Sequence, residues 1–256
     1  MGERITQSTI FLDPTEIQMS GSMNGLLQQS ITEEQYLPFG VGVSQSIFSK
    51  QVSENKGWEI VGEMGIFTQF EWKQVEGIQQ RNLINIDYKI AFSLVKQVDE
   101  MQTYRLRFFH VSSHLGDDYI IRNSINTYTE NRVNYEQLEF TYFRQLPKSY
   151  GQLIIGAGAV IRPNALRLPF SYTVGVDRLL ENQDRKWSFT SGFVVKGFQE
   201  TNFNLNLKAG AGIAYHRPAK KEPVRIIAEY YTGHLPYSQF EQQKTEWLGV
   251  GLYFTI

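Results

Sequence analysis

Residues 84–94 read Ile84-Asn85-Ile86-Asp87-Tyr88-Lys89-Ile90-Ala91-Phe92-Ser93-Leu94. Side chains two apart on a strand point the same way. Ile84, Ile86, Tyr88, Ile90, Phe92 and Leu94 therefore make one apolar face, and Asn85, Asp87, Lys89 and Ser93 the other. A strand buried on both sides would be apolar on both, and an amphipathic helix would repeat every 3.6 residues. The pattern recurs along the chain. Phe170, Tyr172, Val174 and Val176 oppose Ser171, Thr173 and Asp177; Val224, Ile226, Ala228 and Tyr230 oppose Arg225 and Glu229; Leu248, Val250, Leu252, Phe254 and Ile256 close the sequence on one face. Such segments fall at 15–23, 37–49, 57–72, 82–96, 101–113, 132–146, 151–163, 168–180, 186–199, 203–217, 223–234 and 245–256.

Two architectures use such strands. A soluble sandwich or lipocalin-like barrel turns the apolar faces inward, and a membrane barrel turns them toward lipid. The opposing faces carry Glu59, Glu63, Glu71, Asp87, Lys89, Arg105, Arg107 and Glu139 on successive segments. That mixture suits the crowded lumen of a narrow membrane barrel. The prediction is an all-β, single-domain transmembrane antiparallel barrel over 1–256, of about twelve strands. Both termini are expected to be periplasmic, with 1–14 an N-terminal periplasmic segment. Connections near 50–56, 97–100, 147–150, 181–185 and 218–222 become short periplasmic turns. Those near 24–36, 73–81, 114–131 and 235–244 become longer external loops, and 200–202 a short external one.

Composition narrows the function classes. Mean hydropathy is −0.33, and no apolar run approaches the roughly 20 residues of a membrane helix; barrel strands escape that test. Aromatics reach 14%, enough for girdles at two interfaces. The absence of cysteine fits an exported protein. A formal charge of −1 gives no footprint for a nucleic acid. Met1-Gly2-Glu3-Arg4-Ile5-Thr6-Gln7 lacks an apolar signal core, so an outer-membrane location takes the signal peptide to be absent from this chain, removed or replaced.

Tyr104-Arg105-Leu106-Arg107-Phe108-Phe109-His110-Val111-Ser112 carries the candidate chemistry. Leu106 and Phe108 share a face with His110 and Ser112, so a nucleophile and a base stand on the apolar side. Polar groups at membrane depth are costly and mark function. On the next strand Leu138, Phe140 and Tyr142 set the apolar face, and its continuation carries Asn134 and Glu136. Ser112 is the expected nucleophile and His110 the base. Asn134 or Glu136 would hold the imidazole tautomer, and Leu106, Phe108, Leu138 and Phe140 would line an acyl-chain path. Asp117 and Asp118, just beyond, are candidate Ca²⁺ ligands; no cofactor is required. His114, Ser113 and Ser124 are assigned to loop structure and His216 to a strand end. His234, Ser238 and Gln239, in the Gly- and Pro-bearing stretch 229–240, are assigned to turn structure, with ligand or partner contact as the alternative.

Phe11-Leu12-Asp13-Pro14, His110-Val111-Ser112-Ser113-His114-Leu115-Gly116-Asp117, Asn134-Tyr135-Glu136, Glu229-Tyr230-Tyr231-Thr232-Gly233-His234 and Glu246-Trp247-Leu248-Gly249-Val250-Gly251-Leu252 together resemble a bacterial family of outer-membrane barrels of unknown function. His110-Val111-Ser112 is also similar to the His-x-Ser of outer-membrane phospholipase A and the lipid A deacylases, which carry the pair on the lipid-facing wall with an Asn or Glu as third member. The resemblance implies a lipid-ester hydrolase whose partner is membrane lipid, phospholipid or lipopolysaccharide. The alternative is a non-enzymatic barrel serving as an accessory subunit of an outer-membrane protein complex.

Overall fold

The computed structural model describes residues 8–28, 35–125, 133–146, 151–162, 167–180, 186–217 and 222–256. Twelve strands form a closed barrel in which each pairs antiparallel with its neighbours in sequence. They are β1 (Met19–Gln28), β2 (Gln35–Ser53), β3 (Lys56–Val75), β4 (Ile78–Gln97), β5 (Gln102–Leu115), β6 (Asn134–Leu146), β7 (Gly151–Arg162), β8 (Phe170–Leu180), β9 (Trp187–Phe198), β10 (Asn206–Tyr215), β11 (Val224–His234) and β12 (Lys244–Phe254). Closure is made by β1 on β12, with Met19 opposite Phe254. It removes the sheet edges that an open array would leave unpaired.

The alternation resolves outward. On β4, Tyr88, Ile90, Phe92 and Leu94 are exposed, whereas Asn85, Asp87, Lys89 and Ser93 are buried in the lumen. Aromatic pairs mark the outer face near the end where the chain terminates: Tyr104 with Tyr142, Trp187 with Tyr215, and Phe48 with Trp58. An apolar surface of this extent, bounded by aromatic side chains, suits a bilayer and not water.

Charged side chains and the N-terminal segment occupy much of the interior. Sequence reading sets 1–14 apart from the barrel as a periplasmic segment. From residue 8 onward the segment instead lies inside the lumen, because its side chains complete the wall's own charge set. Arg105 Nη1 reaches Glu16 Oε1 at 3.0 Å, and Arg107 Nη2 reaches Glu16 at 2.6 Å and Glu63 at 2.7 Å. Lys196 Nζ reaches Asp13 at 2.7 Å, and Lys89 Nζ donates to the Thr15 carbonyl at 3.1 Å. Ile10, Phe11 and Leu12 pack with Phe143, Ile154, Val194, Ile227 and Tyr253 toward the terminal end. Residues 1–7 lie outside the described residues.

At the opposite end, residues 235–243 fold down into the mouth. Leu235, Tyr237 and Phe240 join a cluster with Tyr36, Phe67, Phe109, Tyr135, Tyr231 and Trp247. Gln239 Nε2 donates to the Ser113 carbonyl at 3.0 Å. Arg167 Nη1 donates to Glu241 at 2.8 Å, with its guanidinium 3.9 Å from the Tyr135 ring centroid. Gly233, at φ +141, makes the bend into this cap. Between segment and cap lies a small cavity lined by Asp13, Thr15, Lys89, Lys196, His234 and Pro236 among others.

Two local expectations change. The loop expected near 73–81 is a two-residue hairpin: β3 and β4 run on to Val75 and Ile78, and Glu76 (φ 50) and Gly77 (φ 80) make the turn. Positive φ at both central residues matches the twist of the flanking strands. Ile84 does not continue the outer face of β4, because the pairing of β3 with β4 steps from Gln69–Asn85 to Phe70–Leu83. That bulge turns Ile84 inward, where it is fully buried.

Candidate functional site on the outer wall

On the outer face of β4, β5 and β6 the register builds a grid. Tyr88, Ser112 and Asn134 form one row; Ile90, His110 and Glu136 the next; Phe92, Phe108 and Leu138 the third. His114 stands beyond Ser112, opposite Ile86. Directly opposed residues on antiparallel strands have Cβ atoms about 4.5–5.5 Å apart, so each row is a set of neighbouring side chains.

His110 Nδ1 lies 3.1 Å from Glu136 Oε1, with 43% of the imidazole and 28% of the carboxylate side chain accessible. An ionised carboxylate can only accept, so with Glu136 ionised His110 Nδ1 is the donor of this bond. Ser112 Oγ lies 3.1 Å from His114 Nε2. The imidazole in hydrogen-bond contact with the serine is thus that of His114, and His110 is braced by Glu136. The His114 ring meets Tyr88 edge-on, with centroids 5.9 Å apart. Of the two third-member candidates, Glu136 touches His110, and Asn134 is paired across from Ser112.

His114 escapes sequence reading because 113 is there the end of the strand. The strand continues to Leu115, which gives His114 the same parity as His110 and Ser112, and that parity was the available signal. Inward-facing Ser113, between them, is held from within by Asp87 and Asn85 through its hydroxyl and by Gln239 through its carbonyl. The serine's own strand is therefore fixed from the lumen side.

Asp117 and Asp118 open a short helix, α1 (Asp117–Arg122). Asp118 Oδ2 accepts from the Leu83 N–H at 2.8 Å, and the Gly116 N–H donates to the Ile84 carbonyl at 2.8 Å. These bonds satisfy backbone groups at the β4 bulge. Arg122 pairs with Glu71, and Tyr119 packs on Phe240. Among the described residues no group of three or more His, Cys, Asp or Glu is arranged to hold a metal ion. A Ca²⁺ ion takes about 6–8 oxygens, and this aspartate pair, one member already engaged, does not fit such a cage.

Of the second cluster, Gln239 serves the cap, and the backbone N–H of His234 donates to Asn206 Oδ1 at 2.6 Å. The side chain of Ser238 lies outside the described residues. His216 Nε2 is 2.6 Å from Ser188 Oγ at the strand ends.

The profile of a family described as protein of unknown function (DUF1207) matches residues 8–256. No curated protein sequence matches the chain. Among solved structures, outer-membrane phospholipase A from Escherichia coli is similar with a TM-score of 0.64 at 8% identity, over 93% of this chain and 90% of that one. The calcium-bound dimer of outer-membrane phospholipase from Salmonella typhi is similar with a TM-score of 0.64 at 9% identity, over 99% and 95%. At such identities the likeness is one of fold.

Proposed function

Because the chain belongs to the DUF1207 family and has the fold of an outer-membrane barrel, we propose that it resides in a bacterial outer membrane and hydrolyses lipid acyl esters at its outer wall. The observation that carries this reading is the His110–Glu136 hydrogen bond on the lipid-facing side, with Ser112 two residues along the same face. An imidazole and a carboxylate joined in hydrocarbon gain nothing structural that a Leu–Phe pair would not provide, and polarity there is costly.

Depth supports the same reading. From Tyr104 to Ser112 the rise, at about 3.4 Å per residue and a tilt of about 40°, is about 20 Å. The apolar band of such barrels is about 25 Å tall. With Tyr104 in one girdle, Ser112 is near the far interface, where the ester bonds of a leaflet lie. In this reading the termini face the periplasm and the grid faces the outer leaflet.

The hydrolase reading assigns each group a role. Glu136 orients His110 and balances the imidazolium that forms when His110 takes the Ser112 proton. Ser112 Oγ attacks the ester carbonyl. Asn134, across from Ser112, donates to the oxyanion. Leu106, Phe108, Leu138 and Phe140, each about two-fifths exposed, receive the acyl chain. Calcium is not assigned to Asp117 and Asp118, and no step uses it.

The test is lipid mass spectrometry of membranes from cells expressing the wild type or Ser112→Ala. Hydrolase activity predicts lyso-lipid or deacylated lipid A with the wild type alone. Identical profiles would overturn it in favour of an accessory subunit.

A further inference from the structure

His114, beside the outer grid, is left unused by the proposed mechanism, and it touches the nucleophile. Its Nε2 is 3.1 Å from Ser112 Oγ. It stands on the far side of Ser112 from His110, toward the polar end of β5, and its ring is held by Tyr88. The wall beneath Ser112 is apolar through Phe108 and Leu106. An ester seated on this grid lays its acyl chain toward Phe108 and its alcohol toward His114.

We propose that His114 is the general acid that protonates the departing alcohol, a role distinct from that of His110 and resting on the hydrolase reading above. The proposed cycle starts from the imidazolium form of His114, in which Nε2–H is donated to Ser112 Oγ across the 3.1 Å contact and the serine proton is left for His110. As Oγ bonds to the acyl carbon, its proton passes to His110 Nε2. As the carbon–oxygen bond to the alcohol breaks, the leaving oxygen takes the proton of His114. Water then enters where the alcohol left and gives its proton to the now neutral His114 as it attacks the acyl-enzyme. Ser112 Oγ departs with the proton held by His110. Both imidazoles return to their starting states, and the products are a carboxylic acid and an alcohol. The split suits a strand, on which the residues at i−2 and i+2 are the nucleophile's nearest same-face neighbours along the chain.

A leaving group that needs no proton exposes the role. The full chain, folded in detergent micelles, is given p-nitrophenyl laurate and dilauroyl phosphatidylcholine, and the acylation phase of each is measured. His114→Phe, which keeps an aromatic ring against Tyr88, should slow acylation by the phospholipid by about 10²-fold or more. It should leave the nitrophenolate burst within about threefold of wild type, within the context dependence of a single contact. His110→Asn should lower both. Equal losses on the two esters with His114→Phe, or no loss on either, would overturn the acid role and leave the hydrolase standing. A wild type inactive on both esters would overturn the hydrolase and the acid together.

Discussion

Glu16 Oε1 accepts a hydrogen bond from Arg107 Nη2 at 2.6 Å, joining the N-terminal segment to the inner face of the strand whose outer face carries Ser112. Both side chains are 2% exposed, so the pair belongs to a closed ion cluster with Arg105, Glu63 and Glu139 and not to a solvated surface.

Removing one charge from that cluster strands its partners. Glu16→Gln leaves Arg105 and Arg107 to share Glu63 and Glu139, and loss of a buried ion partner costs about 3–5 kcal/mol. The urea midpoint of the detergent-folded barrel should fall accordingly, and residues 8–18 should become accessible to protease. An unchanged midpoint would show that the segment is not anchored there.

Contact with lipid is tested on the outer face. Leu106→Arg sits within the apolar band and should cost about 2–4 kcal/mol in refolding into vesicles, whereas Ile78→Arg, at the tip of the β3–β4 hairpin, should cost about 0–1. A solvated outer face would make both substitutions neutral.

Glu136 is separable from Asn134. Glu136→Gln preserves a hydrogen bond to His110 but not the compensating charge, and kcat for lipid ester should fall by about 10²–10⁴-fold. Asn134→Ala should cost about 10²–10³-fold as the loss of an oxyanion donor. Micellar assays with a common substrate give both numbers, and wild-type turnover in Glu136→Gln would remove the carboxylate from the mechanism.

The cap depends on one backbone position. At Gly233 an added Cβ would meet Asn206 Oδ1 at 2.6 Å and its Cα at 2.7 Å, at a φ of +141. Gly233→Ala should destabilise the cap by about 1–3 kcal/mol. Limited trypsinolysis at Lys244 reads this directly, with faster cleavage expected than in the wild type.

The barrel was legible because its alternation is set by local parity. Ile86 to Leu94, with Asp87 and Lys89 opposing, needs no tertiary knowledge to be read as lipid-facing. Parity fails where the register breaks. Ile84 follows its neighbours in sequence but sits in a bulge, and nothing local announces that Asn85 will pair with Gln69 while Leu83 pairs with Phe70. The place of residues 8–18 was likewise hidden, since Glu16 acquires its meaning from two arginines about ninety positions away. At the outer site, His110, Ser112, Asn134 and Glu136 could be gathered from two strands by face alone. Which imidazole meets Ser112, and which side chain meets His110, are matters of rotamer and register that face does not determine.

The lumen is stoppered by residues 8–18 and roofed by residues 235–243, and the outer grid faces away from the barrel's axis, so under the proposed function a lipid reaches Ser112 sideways through the leaflet. Encounter is then a two-dimensional search. Its rate is governed by the mole fraction of substrate among neighbouring lipids and by their lateral mobility, and diluting the bulk phase at constant membrane composition leaves it unchanged.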